Sequence, residues 1–212
     1  MYYKIIFTNK VKNVNLKVDY KGEILVKAPL KTDPELINFF ILKHKKWIEN
    51  RLKAAQKYQK YNFTDGERLP FLDTCLSLNK KNQCAYTLEL HSKHREKRKK
   101  QVINFYKEQL KKYINEQLFL FCSKHNLKYK SFSITSAKKR YGSCSWDKRL
   151  FFTWRLAMAP TFVVNYVIAH ELAHTKYMNH SKEFWALVAK IYPKYKESIN
   201  WLKENYAMLY LD

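Results

Sequence analysis

His170-Glu171-Leu172-Ala173-His174, followed six residues later by His180, decides how the C-terminal half of this 212-residue chain is read. Residues four apart on a helix stand one above the other, so the rings of His170 and His174 can converge on one cation with Glu171 beside them. Three neutral imidazoles leave a fourth tetrahedral position for water. A divalent ion brings the pKa of that water to about 7, where a neighbouring carboxylate can take its proton. On this reading His170, His174 and His180 hold Zn2+ and Glu171 is the general base of a hydrolase.

His180 needs its own argument. Six residues of unbroken helix would carry it about 120° away from the face of His174. The chain is therefore expected to leave the helix around Met178 or Asn179, with Asn179 in the left-handed conformation that ends helices. A new helix then starts at Ser181 with Glu183 in its first turn. Glu197 and Glu204 are the alternative third ligands, as in zincins that use a downstream acid. Both lie off the apolar stripe Tyr195, Ile199, Leu202, Tyr206 and Leu209, where charges are normally solvated, and they rank below His180. The metzincin pattern shares the five-residue gap but has Gly where this chain has Tyr177.

Outward from the motif, Val163, Val164, Val167, Ile168 and Leu172 make the motif helix apolar around most of its circumference, which suits a core, and Pro160 fits its first turn. Phe184, Trp185, Val188 and Ile191 form the buried face of a short helix, and Pro193 separates it from the last one. Upstream, residues 132–136 and 150–154 read as strands joined by an irregular connection over 141–147. Val102, Tyr106, Leu110, Tyr113, Ile114, Leu118 and Phe121 recur at steps of three and four, predicting one amphipathic helix over about 95–122. Before it, residues 2–7, 14–18 and 24–28 read as a small antiparallel sheet turning at Gly22. Thr32-Asp33-Pro34-Glu35 has capping-box form, and Leu36, Phe40, Trp47, Ile48, Leu52 and Ala55 predict one long helix over about 33–58. Short strands follow at 68–72, 75–78 and 85–90, after a turn at Asp65-Gly66. The expected fold class is α+β: a β-rich N-terminal module with one long helix over residues 1–92, and a mainly helical zincin-like catalytic domain with a small antiparallel sheet over 93–212.

Composition bounds the rest. A hydrophobic content of 46% with three glycines and five prolines describes a folded chain with little room for linkers. No stretch approaches the roughly 20 uncharged apolar residues of a membrane span, so no membrane partner is expected and a cytoplasmic location is the default. Cys75, Cys84, Cys122 and Cys144 contain no C-x-x-C pair; reduced thiols are expected, with Cys144 a small packing residue. The net charge is +23. Residues 1–90 carry 17 Lys and Arg against 9 acids and residues 91–212 carry 24 against 9, an excess of +8 and +15. The densest run holds Lys93, Arg95, Lys97, Arg98, Lys99 and Lys100. Such a field draws polyanions, nucleic acid among them, although a solvated helix start or plain lysine-rich composition reads the same way.

The runs Lys139-Arg140-Tyr141-Gly142-Ser143-Cys144-Ser145, Trp154-Arg155-Leu156, Ala159-Pro160, the five-residue motif, Asn179-His180-Ser181 and Phe184-Trp185 together resemble the YgjP-like metal-dependent hydrolases, a group related to the SprT-like zinc proteases. The resemblance is most specific over residues 138–186. It implies zinc on His170, His174 and His180, Glu171 as base, and a peptide or protein substrate. Two departures stand out: Tyr141 where the family usually has Trp, and Asn165 where Asp is common. A nucleotide or other phosphoanhydride substrate is compatible with the same site, since zinc also polarises phosphoryl oxygen. The segment 141–145 is expected to border the cleft, and Arg140, Tyr141, Ser143 and Arg155 are the candidate substrate-binding residues, the two arginines for oxyanion or phosphate stabilisation. A reading from another class, a nucleic-acid-binding module with structural zinc, needs a fourth protein ligand, and no Cys or further His lies near in sequence.

Overall fold

Strand β3 (Ile24–Ala28) buries Ile24, Val26 and Ala28 on one face and lies between two neighbours, which makes it the centre of the first sheet. The structure is a computed structural model that describes residues 2–81 and 83–211. The chain divides into two compact units, one holding the described residues up to Gln59 together with Trp201–Tyr210, the other Lys60–Asn200 with Leu211. Residues 60–92, which the sequence reading joins to the N-terminal module, group here with the motif helices.

In the first unit β1 (Lys4–Phe7) pairs parallel with β3, while β2 (Asn15–Val18) pairs antiparallel with it. The sheet is therefore mixed, not antiparallel as expected. The tight turn at Gly22, with φ of 86°, fixes β2 against β3, and β1 takes the opposite edge of β3, where it runs in the same direction. Asp33 caps α1 (Pro34–Lys43), accepting a 2.9 Å bond from the Glu35 amide. The expected single helix over 33–58 is broken. His44 leaves helical geometry, its imidazole Nδ1 meets the Phe40 carbonyl at 2.8 Å, and α2 (Lys45–Ala55) begins after it. Ile37, Ile41 and Ile48 carry the buried stripe across the break, whereas Leu36 and Trp47, expected on it, are 61% and 43% exposed. The segment near residue 206 joins this unit because the Tyr206 hydroxyl donates to the Asp19 carbonyl and the Arg51 guanidinium lies 3.4 Å over its ring.

The second unit opens with β4 (Arg68–Phe71), β5 (Thr74–Leu78) and β6 (Tyr86–Leu88). Helix α3 (Arg95–His125) follows, burying Val102, Tyr106, Leu110, Ile114 and Leu118 and ending on Asn126 at φ 50°, ψ 50°. Tyr106 stacks between Phe71 and Trp154, with ring centroids 5.8 and 6.2 Å away. The third sheet has the order β7-β9-β8, from β7 (Ser131–Thr135), β8 (Gly142–Cys144) and β9 (Arg149–Thr153). Strand β8 lies where an irregular connection was expected. This sheet is also mixed: β8 and β9 form an antiparallel hairpin through a turn with Lys148 at φ 63°, and the segment 136–141 crosses the end of β9, leaving β7 parallel to it. A 3-10 turn (Trp154–Met158) leads into α4 (Thr161–His174), followed by α5 (Lys182–Ile191), α6 (Tyr195–Asn205) and a second 3-10 turn (Tyr206–Leu209).

Cys75 and Cys84 are bonded to each other, with Cα atoms 4.9 Å apart, which overturns the expectation of reduced thiols. Leu76, next to Cys75, pairs in the β5–β6 register with Tyr86, two residues beyond Cys84, so the sheet brings the two cysteines near each other across a sequence separation of nine. Cys122 and Cys144 remain free. Titration of the unfolded, unreduced protein with a thiol reagent is thus expected to find two thiols, and mild reduction four. No helix among the described residues is long and apolar enough to cross a membrane.

Candidate metal centre

Helix α4 is built to be rigid where the motif sits. Its residues Val163, Val164, Val167, Ile168, Ala169, Leu172 and Ala173 are buried, and its first turn is tied down from outside by Asp73, whose carboxylate accepts from the Thr161 amide at 2.9 Å and from the Thr161 hydroxyl. The helix ends at His174, four residues earlier than expected. The Thr175 hydroxyl donates to the Leu172 carbonyl at 2.7 Å and the amides of Lys176 and Tyr177 fold back onto Ala173, closing the last turn. Asn179 is not in the left-handed conformation. Ser181 caps the next helix as its side chain accepts from the Phe184 amide, and His180 stands in the corner between α4 and α5.

The three imidazoles meet there. His170, His174 and His180 each offer a ring nitrogen within 4.8 Å of the others, and the Nε2 atoms of His170 and His180 are 3.3 Å apart. Nitrogens bound at about 2.0–2.1 Å around a tetrahedral ion sit about 3.3–3.4 Å from one another, so the spacing of this pair suits a tetrahedral metal ion. The opposite ring nitrogens are engaged elsewhere. His174 Nδ1 donates to the Tyr177 carbonyl at 3.0 Å, and His170 Nδ1 faces the Tyr166 hydroxyl at 3.5 Å, which leaves Nε2 of each for a metal. Among the described residues no fourth His, Cys, Asp or Glu joins the cluster, and neither Glu197 nor Glu204 belongs to it.

Packing holds the rings in place. Phe184, fully buried on α5, contacts all three at centroid distances of 5.0, 4.5 and 4.8 Å, and Trp185 stacks on His180 and in turn on Tyr195. Burial pushes His170 down to about 4, reinforced by the two neighbouring imidazoles, and depresses His174 as well. Neutral rings with free lone pairs are what a cation requires.

Glu171 is 4% exposed. Burial pushes its carboxyl up to about 8, opposed by the positive charge of Arg140, and its Oε2 is buried with no hydrogen-bond partner. A carboxylate placed this way is costly unless a cation or a proton donor completes it. The strand beside it makes room. A Cβ on Gly142 would lie 2.5 Å from Glu171 Oε1 and 2.7 Å from its Cγ, so only glycine lets β8 pack this closely against α4.

A family model described as YgjP-like, metallopeptidase domain, matches residues 12–205. The chain belongs to the YgjP-like family. No curated protein and no solved structure matches it. A metallopeptidase domain is a metal-dependent hydrolase, and the three-histidine cluster is where this YgjP-like chain could hold its metal.

The remaining predicted residues fall into three places. Arg140 is exposed at the start of the β8 segment, near enough for its charge to act on Glu171. Tyr141 and Ser143 lie on the face of β8 opposite Gly142 and line a groove that contains none of the three histidines. Arg155 is buried, with its guanidinium over Trp154 and 3.4 Å from the carbonyls of Ser136 and Ala137, which braces the 136–141 crossover. Asn165, the departure from the family pattern, accepts from the Tyr113 hydroxyl at 2.9 Å and so ties α4 to α3. Cys144 is pushed up to about 11 by burial and by Glu171, in keeping with a packing residue. Sequence reasoning missed Gly142, Asp73 and Tyr166 as supports of the centre. Gly142 had one signal, being one of only three glycines in the chain.

Proposed function

We propose that this YgjP-like protein is a zinc-dependent peptidase in which His170, His174 and His180 hold the metal and Glu171 is the general base. When bound, zinc polarises the scissile carbonyl and lowers the pKa of water from about 15.7 toward 7. Glu171 accepts the proton of the attacking water on its Oε2 and passes it to the departing amide nitrogen, the dual role that a carboxyl of raised pKa suits. Tyr166 and the Tyr177 carbonyl fix the outward nitrogens of His170 and His174, and so the direction in which their Nε2 atoms point. Arg140, whose charge reaches the Glu171 carboxyl, would add positive charge near the reacting groups.

The observation that carries this reading is the partnerless, buried Oε2 of Glu171, one residue from a three-histidine cluster that no fourth His, Cys, Asp or Glu joins among the described residues. A structural zinc site would be closed by a fourth ligand, and a nucleotide hydrolase is separated from a peptidase by substrate alone. The test is to purify the protein without chelator, measure its metal, and incubate it with unfolded protein and, separately, with nucleoside triphosphates. We expect stoichiometric zinc and cleavage of the unfolded protein, abolished by EDTA and restored by zinc. Consumption of the triphosphates alone would replace the peptidase reading with phosphoanhydride hydrolysis, and a protein without metal would remove both.

A further inference from the structure

The second face of the β7-β9-β8 sheet carries a candidate binding site that holds none of the three histidines. Strand alternation turns Gly142 and Cys144 toward α4 and Tyr141 and Ser143 the opposite way. There Tyr141 and Ser143 join Thr135, Phe151 and Thr153 around a groove of about 340 Å³ that also reaches Arg140 and the β8 strand at Gly142 and Cys144, with no acidic residue among the described residues of its lining. That size is at the low end of small-ligand sites, enough for one building block of a polymer. Cations flank the groove along the strand. Lys138 and Lys139 precede Arg140 at one end, and the hairpin turn at the other carries Lys148 and Trp146, which is 87% exposed. The one acid in that turn, Asp147, is already matched by Arg149 at 2.7 Å, Lys130 at 3.2 Å and the Ser145 hydroxyl at 2.6 Å.

We propose that this sheet face binds single-stranded nucleic acid, with phosphates on Arg140 and Lys139, a base against Tyr141 and Phe151 over the Ser143 hydroxyl, and a further base on Trp146. Two features favour this ligand over an acidic peptide, and a third draws polyanions of either kind. Aromatic rings interleaved with cations stack bases and track phosphates together, whereas acidic side chains need the cations alone. The groove is lined by hydroxyls, which bond sugar and base edges as readily as phosphate. The excess of +15 over residues 91–212 concentrates polyanions at the surface around it. A duplex keeps its bases stacked on each other and offers no free face to these rings. The proposal does not depend on the metal or on Glu171.

The test is anisotropy of labelled oligo-dT and of a duplex of equal length with the full chain, at several salt concentrations. Native protein is expected to bind oligo-dT with affinity falling steeply with salt, and the duplex at least tenfold more weakly. Trp146→Ala, a change at a side chain that is almost wholly solvent-facing, is expected to weaken oligo-dT about tenfold, the range of one lost base stack. Ser143→Glu, with its fold checked by circular dichroism, should weaken it as much by placing a negative charge in the groove. Lys97→Ala with Lys100→Ala removes two charges from the basic run on α3 and controls for bulk charge. The proposal is overturned if Trp146→Ala and Ser143→Glu bind as the native chain does, if the α3 double variant weakens binding equally, if the duplex binds as well, or if polyglutamate competes as strongly as poly-dT.

Discussion

Glu171→Gln is expected to retain zinc at native affinity and to lose turnover by about 10²–10⁴-fold, the contribution of a positioned general base. The amide has nearly the shape of the carboxyl and leaves His170, His174 and His180 untouched, so the metal cluster and the packing of α4 against β8 survive. What it removes is the ability to accept a proton. Metal content and peptide hydrolysis measured on the same preparation separate these effects, and turnover equal to that of the native protein would exclude Glu171 as the base.

The same substitution has a second signature in metal-free protein, with a definite sign. Burial raises the folded-state pKa of Glu171 from 4.5 to about 8. Below the unfolded value the carboxyl is neutral in both states and costs nothing. As pH rises from 4.5 to 8 the unfolded chain ionises and the folded one does not, so the native protein loses stability through that window, by a total on the order of a few kcal/mol. Metal-free Glu171→Gln lacks this titration and should unfold at a higher temperature than metal-free native protein at pH 8, with the gap closing toward pH 4.5. Bound zinc favours the ionised carboxylate and should shrink the gap.

The parts of the centre that were legible in the sequence are those that helical geometry dictates. A four-residue step puts His170 and His174 on one face in any helix, and six further residues cannot return His180 to it without a corner, so the corner followed from spacing alone. The apolar stripes of α3 and α4 were legible because a period near 3.6 leaves little choice of face. The rest depends on partners distant in sequence. Alternation tells which face of a strand is buried and says nothing about the direction of its neighbour, which is why β1 beside β3 and β7 beside β9 run parallel against expectation. Gly142-Ser143-Cys144 is too short and too small to show a pattern, yet it becomes a strand because β9 offers it an edge. The break at His44 is a change of backbone dihedrals through which the ladder bonds to Phe40 and from Ile48 persist, so the apolar period runs across it unmarked, and the Cys75–Cys84 bond rests on a register that no spacing rule encodes.

Gly142→Ala is expected to be nearly as damaging as loss of the base, and for a reason confined to one contact. The glycine does not have a positive φ, so alanine can adopt its backbone and any cost must come from the new methyl. That methyl would stand 2.5, 2.7 and 2.8 Å from Oε1, Cγ and Cδ of Glu171, where carbon contacts prefer about 3.5–4.0 Å. Either the carboxyl swings away from the metal centre or β8 lifts from α4. A displacement on the scale of 1 Å at a catalytic group costs about 10²-fold in rate, and overpacking a buried contact costs about 1–3 kcal/mol of stability. The contact can be isolated with a double-mutant cycle in urea denaturation of the metal-free protein: in a Glu171→Ala background the methyl enters emptied space, and Gly142→Ala should then cost close to nothing. An equal cost in both backgrounds would mean that the glycine serves the strand itself, and the close approach of β8 would no longer account for the position of the Glu171 carboxyl.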